Sequence, residues 1–331
     1  MWREGTRIGR PFSERAGVSC RGTSLALQRV LADFGADVAF GQVPEKLKEH
    51  YGMAMPVSTV QRITEHHAQC IYEQEAAREV VAGAANSHTF IGEIDGAMVP
   101  VVQVSPGAKD KRKGKTVEWK EVRLCLVHPV GSATPMFGGH FSGGVEESGR
   151  QWERCAVKAG LGPGNPLHAV GDGACWIPTQ LEVRFGTQAT FLVDFFHLGE
   201  YLGEASKVCA AADPKAWMET QKDRFMANQV DAVLEALAPF VETDRDDPAT
   251  ACDRYIRNRL SHLDYQGAIE RGLPIGSGEI ESAHRYVIQK RLKLPGAWWA
   301  PNHVEAMLAL RINRANRAWE DYWRGVEKQA A

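Results

Sequence analysis

A chain of 331 residues is long enough for two or three domains with a sizeable core. Its 44% hydrophobic and 24% charged content belongs to a globular protein, and no apolar run reaches the about 18 residues that a membrane span needs. The net charge of −2 hides an uneven distribution: residues 109–123 carry seven Lys/Arg against three Asp/Glu, residues 285–324 eight against three, and residues 231–253 seven acids against one Arg.

Basic segments of this kind are the usual footprint of phosphate-backbone contact, although a charge run also serves as a solvated face. Seven cysteines without a CxxC pair argue against a disulfide framework and a zinc ribbon. The first residues lack the apolar core of a secretory signal, so a cytoplasmic location is expected.

Along the chain, Leu27, Val30, Leu31 and Phe34 have helical spacing and predict a first helix over 23–34. A second helix is predicted over 43–51, with Pro44 in its first turn and Gly52 as its stop. A third opens on Ser58 as N-cap, with Val60, Ile63, His67 and Ile71 on one stripe. Helix, tight turn, helix resembles a helix-turn-helix, which would present Ser58, Thr59, Gln61 and Arg62 to base edges or phosphates. A small helical packing unit fits the same pattern.

The run Gly83-Ala84-Ala85-Asn86-Ser87 marks a domain boundary. Strand-type runs follow at 90–94 and 98–104, on either side of Asp95-Gly96, and at 122–127. The lysine-rich 107–117 stretch between them reads as a loop or hairpin tip, with Lys111, Arg112 and Lys113 available to a DNA backbone. Gly138-Gly139 and Gly143-Gly144 mark a turn-rich link. A helix over 146–160, a strand over 167–170 ending at Gly171-Asp172-Gly173, a helix over 176–185 and a strand over 190–194 then indicate an α/β layer.

Residues 198–263 read as helical, broken at Pro214, Pro239 and Pro248. Gly276-Ser277-Gly278 opens a helix that begins acidic, with Glu279 and Glu281, and ends basic, with Arg285, Lys290, Arg291 and Lys293. The segment 295–301 (PGAWWAP) interrupts, and a last helix starts near 302.

Asp95 and Asp172 follow apolar strands and Glu281 opens a helix, and in open α/β sheets functional groups gather beyond strand ends. Three hard oxygen donors suit Mg²⁺ or Mn²⁺ rather than zinc. Taken singly, Asp95 and Asp172 fit Asx turns beside glycine equally well.

The runs Gly92-Glu93-Ile94-Asp95-Gly96-Ala97-Met98-Val99-Pro100, Gly171-Asp172-Gly173-Ala174-Cys175-Trp176-Ile177 and 276–293 together resemble the DDE transposases of bacterial insertion sequences, specifically the Kra-type family. The resemblance spans roughly residues 20–325. It implies an α/β, RNase H-like fold with a mixed five-stranded sheet, a helical insertion before the third acid and an N-terminal helix-turn-helix. The expected division is 1–86 for the helical DNA-binding region, 87–212 for the catalytic core, 213–264 for the insertion and 265–331 for the rest of the core.

The resemblance further implies Asp95, Asp172 and Glu281 as catalytic acids holding two Mg²⁺ or Mn²⁺ ions, with Glu279 a near competitor for the third place. Asp194-Phe195-Phe196-His197 fits the spacing of an Asp or Cys, two residues, then His in the related Mutator-like transposases, so Asp194 and His197 are candidates to support the site or contact a phosphate. Expected DNA contacts are Arg62, Lys111, Arg112, Lys113, Arg285, Lys290, Arg291 and Lys293, with Trp298 stacking on an unpaired base.

The expected function is binding of transposon-end DNA and metal-dependent strand cleavage and transfer, by a nucleoid-associated homodimer or higher oligomer acting on double-stranded DNA. A catalytically inactive or domesticated DNA-binding regulator is the alternative. A carbohydrate hydrolase using two of the carboxylates fits the basic segments poorly.

Overall fold

The computed structural model describes residues 18–19, 22–81, 83–84, 87–104 and 114–330. The chain divides into two compact units: Met1–Glu79 with Ala97–Val122 and His284–Ala331, and Val80–Gly96 with Arg123–Ala283. Helices α1 (Leu25–Asp37), α2 (Val43–Tyr51) and α3 (Val57–Ala77) come first. Strands β1 (Phe90–Val104), β2 (Lys115–Pro129) and β3 (Met136–His140) follow, then α4 (Gly144–Lys158), β4 (Leu167–Gly171), α5 (Trp176–Phe185) and β5 (Ala189–Val193).

Helices α6 (Phe195–Cys209), α7 (Pro214–Met226), α8 (Val230–Leu237), α9 (Pro248–Arg257), α10 (Tyr265–Glu270) and α11 (Gly278–Ala283) come next. A π-helical turn, His284–Gln289, leads into α12 (Lys290–Leu292), α13 (Pro301–Ala315) and α14 (Trp319–Ala330). Among the described residues, no helix is long and apolar enough to cross a membrane.

The protein is α/β, with one mixed five-stranded sheet in the order β3-β2-β1-β4-β5. β3 pairs antiparallel with β2, while β1, β4 and β5 are mutually parallel. Residues 97–104 of β1 and 115–122 of β2 are counted with the first unit.

In the second unit one face of the sheet meets α4 and α5 through Phe90, Ile94, Cys125, Val127, Trp152, Leu167, Ala169, Ile177 and Leu181. Beyond β5, helices α6 to α10 build their own core from Leu198, Leu202, Phe225, Val233, Leu237, Cys252, Ile256 and Tyr265, joined to Leu192 and Val193. Pro214 and Pro248, expected as breaks, each occupy the first turn of a helix behind an aspartate cap, Asp213 and Asp247. A proline there lacks only an N–H that has no intrahelical partner anyway.

Three expectations need correction. The segments 90–94 and 98–104 form one strand, because β-favouring residues continue through Asp95-Gly96 and the Asp95 carboxylate accepts the Gly96 N–H at 2.7 Å instead of turning the chain. Gly138-Gly139 is not a link but the middle of β3, opposite Cys125 and Leu124. A Cβ at Gly138 would lie 3.0 Å from the Cys125 sulfur and from the Gln151 carbonyl of α4, so glycine marks a close approach rather than a turn. Finally, α3 is capped by Pro56, already extended at ψ 141°, so Ser58 lies inside the first turn and caps nothing.

In the first unit α1 and α13 both pack on α3, and α2 adds Val43 and Leu47 to Leu31, Val60 and Ile63. His67 of α3 is buried between Tyr322 (2.7 Å from Nδ1) and the Gln28 carbonyl oxygen (3.0 Å from Nε2). The Gln28 amide nitrogen donates to the Thr23 carbonyl, so its oxygen faces His67, whose Nε2–H donates while Nδ1 accepts from the tyrosine hydroxyl.

Burial, reinforced by His66, lowers the His67 pKa from 6.5 to about 4. The unfolded imidazole therefore takes up its proton first, and stability is lost as pH falls from about 6.5 towards about 4, by up to roughly 3 kcal/mol. Chemical denaturation followed across that range is expected to show this slope, and His67→Leu is expected to flatten it while lowering stability at neutral pH.

Candidate functional site

Side chains alternate faces along a strand. With Phe90, Ile94, Cys125, Val127 and Ala169 turned to α4 and α5, the opposite sheet face receives Glu93 and Asp95 of β1, His128 of β2 and His168 of β4. That face holds the segment running from Pro274 into α11, and four strands contribute one polar anchor each.

The His168 Nε2–H donates to the Pro274 carbonyl at 2.9 Å. Glu93 accepts the Ile280 N–H at 2.7 Å, and His128 Nε2 lies 3.0 Å from Glu279 Oε2. Asp194, just past β5, uses both oxygens. One accepts the Phe196 and His197 N–H groups as the cap of α6, and the other accepts the Ser277 N–H at 2.7 Å and the Ser277 hydroxyl. Phe195 N–H adds a bond to the Ile275 carbonyl. Gly276 passes so close to the exposed Phe196 ring that a Cβ there would meet it at 2.6 Å unless the ring moved.

Glu93 is only 1% exposed. Burial pushes its carboxyl up to about 8; the Ile280 N–H pulls it partly back, and the Glu279, Asp194 and Glu281 carboxylates add to the rise. The group is therefore mostly protonated at neutral pH.

Asp95 and Asp172 come together by register. β1 and β4 pair in parallel from Phe90 opposite Leu167 to Glu93 opposite Val170, and counting on two residues brings Asp95 level with Asp172. Neighbouring strands lie about 4.8 Å apart. Asp95 is half-buried; Asp172 is exposed, and its carboxylate accepts the Ala174 N–H at 2.9 Å. The turn carrying Asp172 is clamped from α9 and beyond: the Tyr255 hydroxyl donates to the Asp172 carbonyl and Arg259 to the Gly173 carbonyl, both at 2.7 Å, with the guanidinium stacked 3.8 Å from the Tyr255 ring.

Glu279 and Glu281 both lie in the first turn of α11, exposed and near enough to Glu93 to influence its charge. Among the described residues, no three His, Cys, Asp or Glu side chains are gathered closely enough to hold a metal ion. The donor chemistry, carboxylate oxygens without thiol or imidazole, suits a hard divalent cation.

The remaining expected residues are spread differently. His197 is partly exposed, with Nδ1 3.4 Å from Glu200, and lines a cavity of about 340 Å³ with Glu200, Glu204 and Asp246. The acidic lining of this cavity is less favourable to a phosphate than a basic one would be. Asp194 is buried and fully engaged, a positioning residue.

In the first unit, Arg285 and Lys290 are exposed, Arg62 and Lys293 half-buried, and Trp298 exposed. Arg291 is not available to DNA. It is 1% exposed, donates to the Gly35 carbonyl, and lies 4.5 and 4.6 Å from the Phe40 and Trp299 rings. Lys111, Arg112 and Lys113 lie outside the described residues.

The sequence reading missed Glu93, His128, His168, Ser277, Tyr255 and Arg259. The one available signal was Glu93, an acid at the buried parity of an apolar strand. No family model and no curated protein matches the chain.

The Glu93 anchor is testable in the metal-free protein. Because the unfolded carboxyl ionises near 4.5 and the folded one near 8, stability is expected to fall as pH rises between those values, by up to about 5 kcal/mol. Glu93→Gln keeps an acceptor for Ile280 and should abolish the slope in denaturation curves at about pH 5 and about pH 8. Glu93→Ala orphans a buried N–H and should cost about 1–3 kcal/mol. A Gln variant with the wild-type slope would assign the titration elsewhere.

Proposed function

We propose that the chain is a metal-dependent DNA transposase of the DDE type, cutting and joining phosphodiester bonds at the ends of an insertion sequence. The observation that carries this reading is the parallel register that, continued past Glu93 and Val170, sets Asp95 of β1 level with Asp172 just after β4, with the acid-bearing first turn of α11 anchored to the same sheet face through Glu93. The strand order, with the antiparallel β3-β2 pair on one side of β1 and β5 on the far side of β4, is compatible with an RNase H-like core. In the same reading α2 and α3 form the helix-turn-helix and residues 213–264 the insertion before the third acid.

Asp95, Asp172 and Glu281 would hold two Mg²⁺ or Mn²⁺ ions. Such ions, when bound, lower the pKa of a water or 3′-hydroxyl nucleophile and stabilise the leaving oxygen of an in-line displacement. Glu281 is preferred to Glu279 because its position before the basic segment Arg285 to Lys293 fits the family pattern better. Tyr255 and Arg259 fix the backbone of the Asp172 turn, so that carboxylate is presented at little entropic cost. Neutral Glu93 anchors α11 without adding a negative charge beside the acids. Arg62, Arg285, Lys290 and Lys293 supply salt-sensitive, sequence-independent contacts to double-stranded DNA, and joining two ends calls for at least a second copy of the chain.

Asp95→Asn, Asp172→Asn and Glu281→Gln are each expected to reduce Mg²⁺-dependent nicking of transposon-end DNA to the level seen without metal, while gel-shift affinity is retained. Glu279→Gln should leave measurable cutting. If a named acid can be neutralised with cutting intact, it does not belong to the triad; end binding by the wild-type chain with no nicking in Mg²⁺ or Mn²⁺ would instead favour the DNA-binding regulator.

A further inference from the structure

The outer part of β2 carries an exposed row with a composition that a solvated strand does not need. Lys115, Val117 and Trp119 alternate along it and share one face. All three are exposed, Trp119 at 57%. The Lys115 ammonium sits 6.0 Å from the ring of Trp298, itself 53% exposed, and the Lys293 ammonium sits 5.9 Å from the ring of Trp119. Two open indoles, each paired with a lysine, thus border a strip about 13 Å long, four residues of strand.

Trp298 is held out rather than merely left out. Its neighbour Trp299 is buried, its indole N–H donates to the Leu292 carbonyl, and its backbone forms a parallel bridge with Val101, with bonds to Val102 N–H and the Pro100 carbonyl. The anchored neighbour fixes the backbone beside Trp298, so less ordering entropy is left for a ligand to supply.

We propose that this strip binds an unpaired stretch of DNA, with bases stacked on Trp119 and Trp298 and the phosphates drawn to Lys115 and Lys293. The reading of the chain as a DNA-cutting protein supplies the identity of the strand; the strip itself is argued from its chemistry. Indole faces bind any base, and cations at the ring edges meet a backbone that follows the stack. A purely apolar protein partner would bury the two ammonium groups without counter-charge, and a duplex, with its bases already stacked, leaves the indoles unused.

The test is fluorescence anisotropy of the full chain with a labelled oligo-dT of about 15 nucleotides and with a duplex of the same length. Trp119→Ala and Trp298→Ala are each expected to weaken single-strand binding about five-fold or more, with duplex binding and thermal midpoint unchanged. Trp119→Phe should restore most of the loss. Lys115→Ala and Lys293→Ala should each reduce the salt dependence.

Asp95→Asn is expected to bind the oligonucleotide as the wild type does, so a chain that proves not to cut DNA can still display the strip, and the two readings fail separately. Unchanged single-strand affinity in both Trp→Ala variants overturns the proposal. So does an equal loss on duplex, or a drop in sedimenting mass on Trp→Ala substitution with oligonucleotide binding intact, which would make the strip a contact between copies of this chain.

Discussion

The bond from Ile280 N–H to the buried Glu93 carboxyl joins residues 187 positions apart, and the position of α11 depends on it. A carboxyl in apolar surroundings is costly unless neutral or well bonded. Here it is both, because the raised pKa keeps it protonated while one oxygen serves the first turn of α11, where N–H groups have no intrahelical acceptor. His168 and Asp194 repeat the arrangement, and His128 lies beside Glu279. Four polar anchors on one sheet face fix a segment that spacing alone would leave free to slide, and with it the two glutamates.

That arrangement explains which parts of the site were legible beforehand. Local rules were enough where the residues act locally: Pro44 and Gly52 bound α2 at 43–51 as expected, and Gly171-Asp172-Gly173 does end a strand. They failed where the deciding contact is distant. Asp95-Gly96 has the look of a turn, yet strand pairing carries the chain straight through it. Gly138-Gly139 looks like a link, yet α4 packing against β3 leaves no room for a Cβ at Gly138. His128 and His168 carry no spacing signal at all, because their partners lie 151 and 106 residues further on.

The arginines show a signal that was present and overlooked. In the segment after α11, His284, Val287, Ile288, Arg291 and Leu292 are all buried, a stripe at i, i+3, i+4, i+7 and i+8. Arg291 occupies a core position of that stripe, and Arg311 does the same in α13 after Val304, Met307 and Leu308. Arg311 donates to the Ala36 and Val287 carbonyls and pairs with Asp37. Residues at the same helical phase as aliphatic neighbours are better read as anchors between helices, and counting them as phosphate contacts overstates the basic surface of 285–324.

Burial sorts the carboxylates around α11 into two kinds. Asp194 accepts four donors, and Glu93 gives its charge up; both are inside and both are structural. Asp172, Glu279 and Glu281 are exposed and Asp95 half-buried, so water still solvates them and their mutual repulsion is screened. Metal-dependent chemistry of the proposed kind calls for this division. Anions that are already satisfied inside would compete for no ligand, whereas a solvated group with a fixed backbone and a mobile side chain can close on an incoming cation. The fixed backbone comes from the anchors, the mobility from exposure, and neither would suffice without the other.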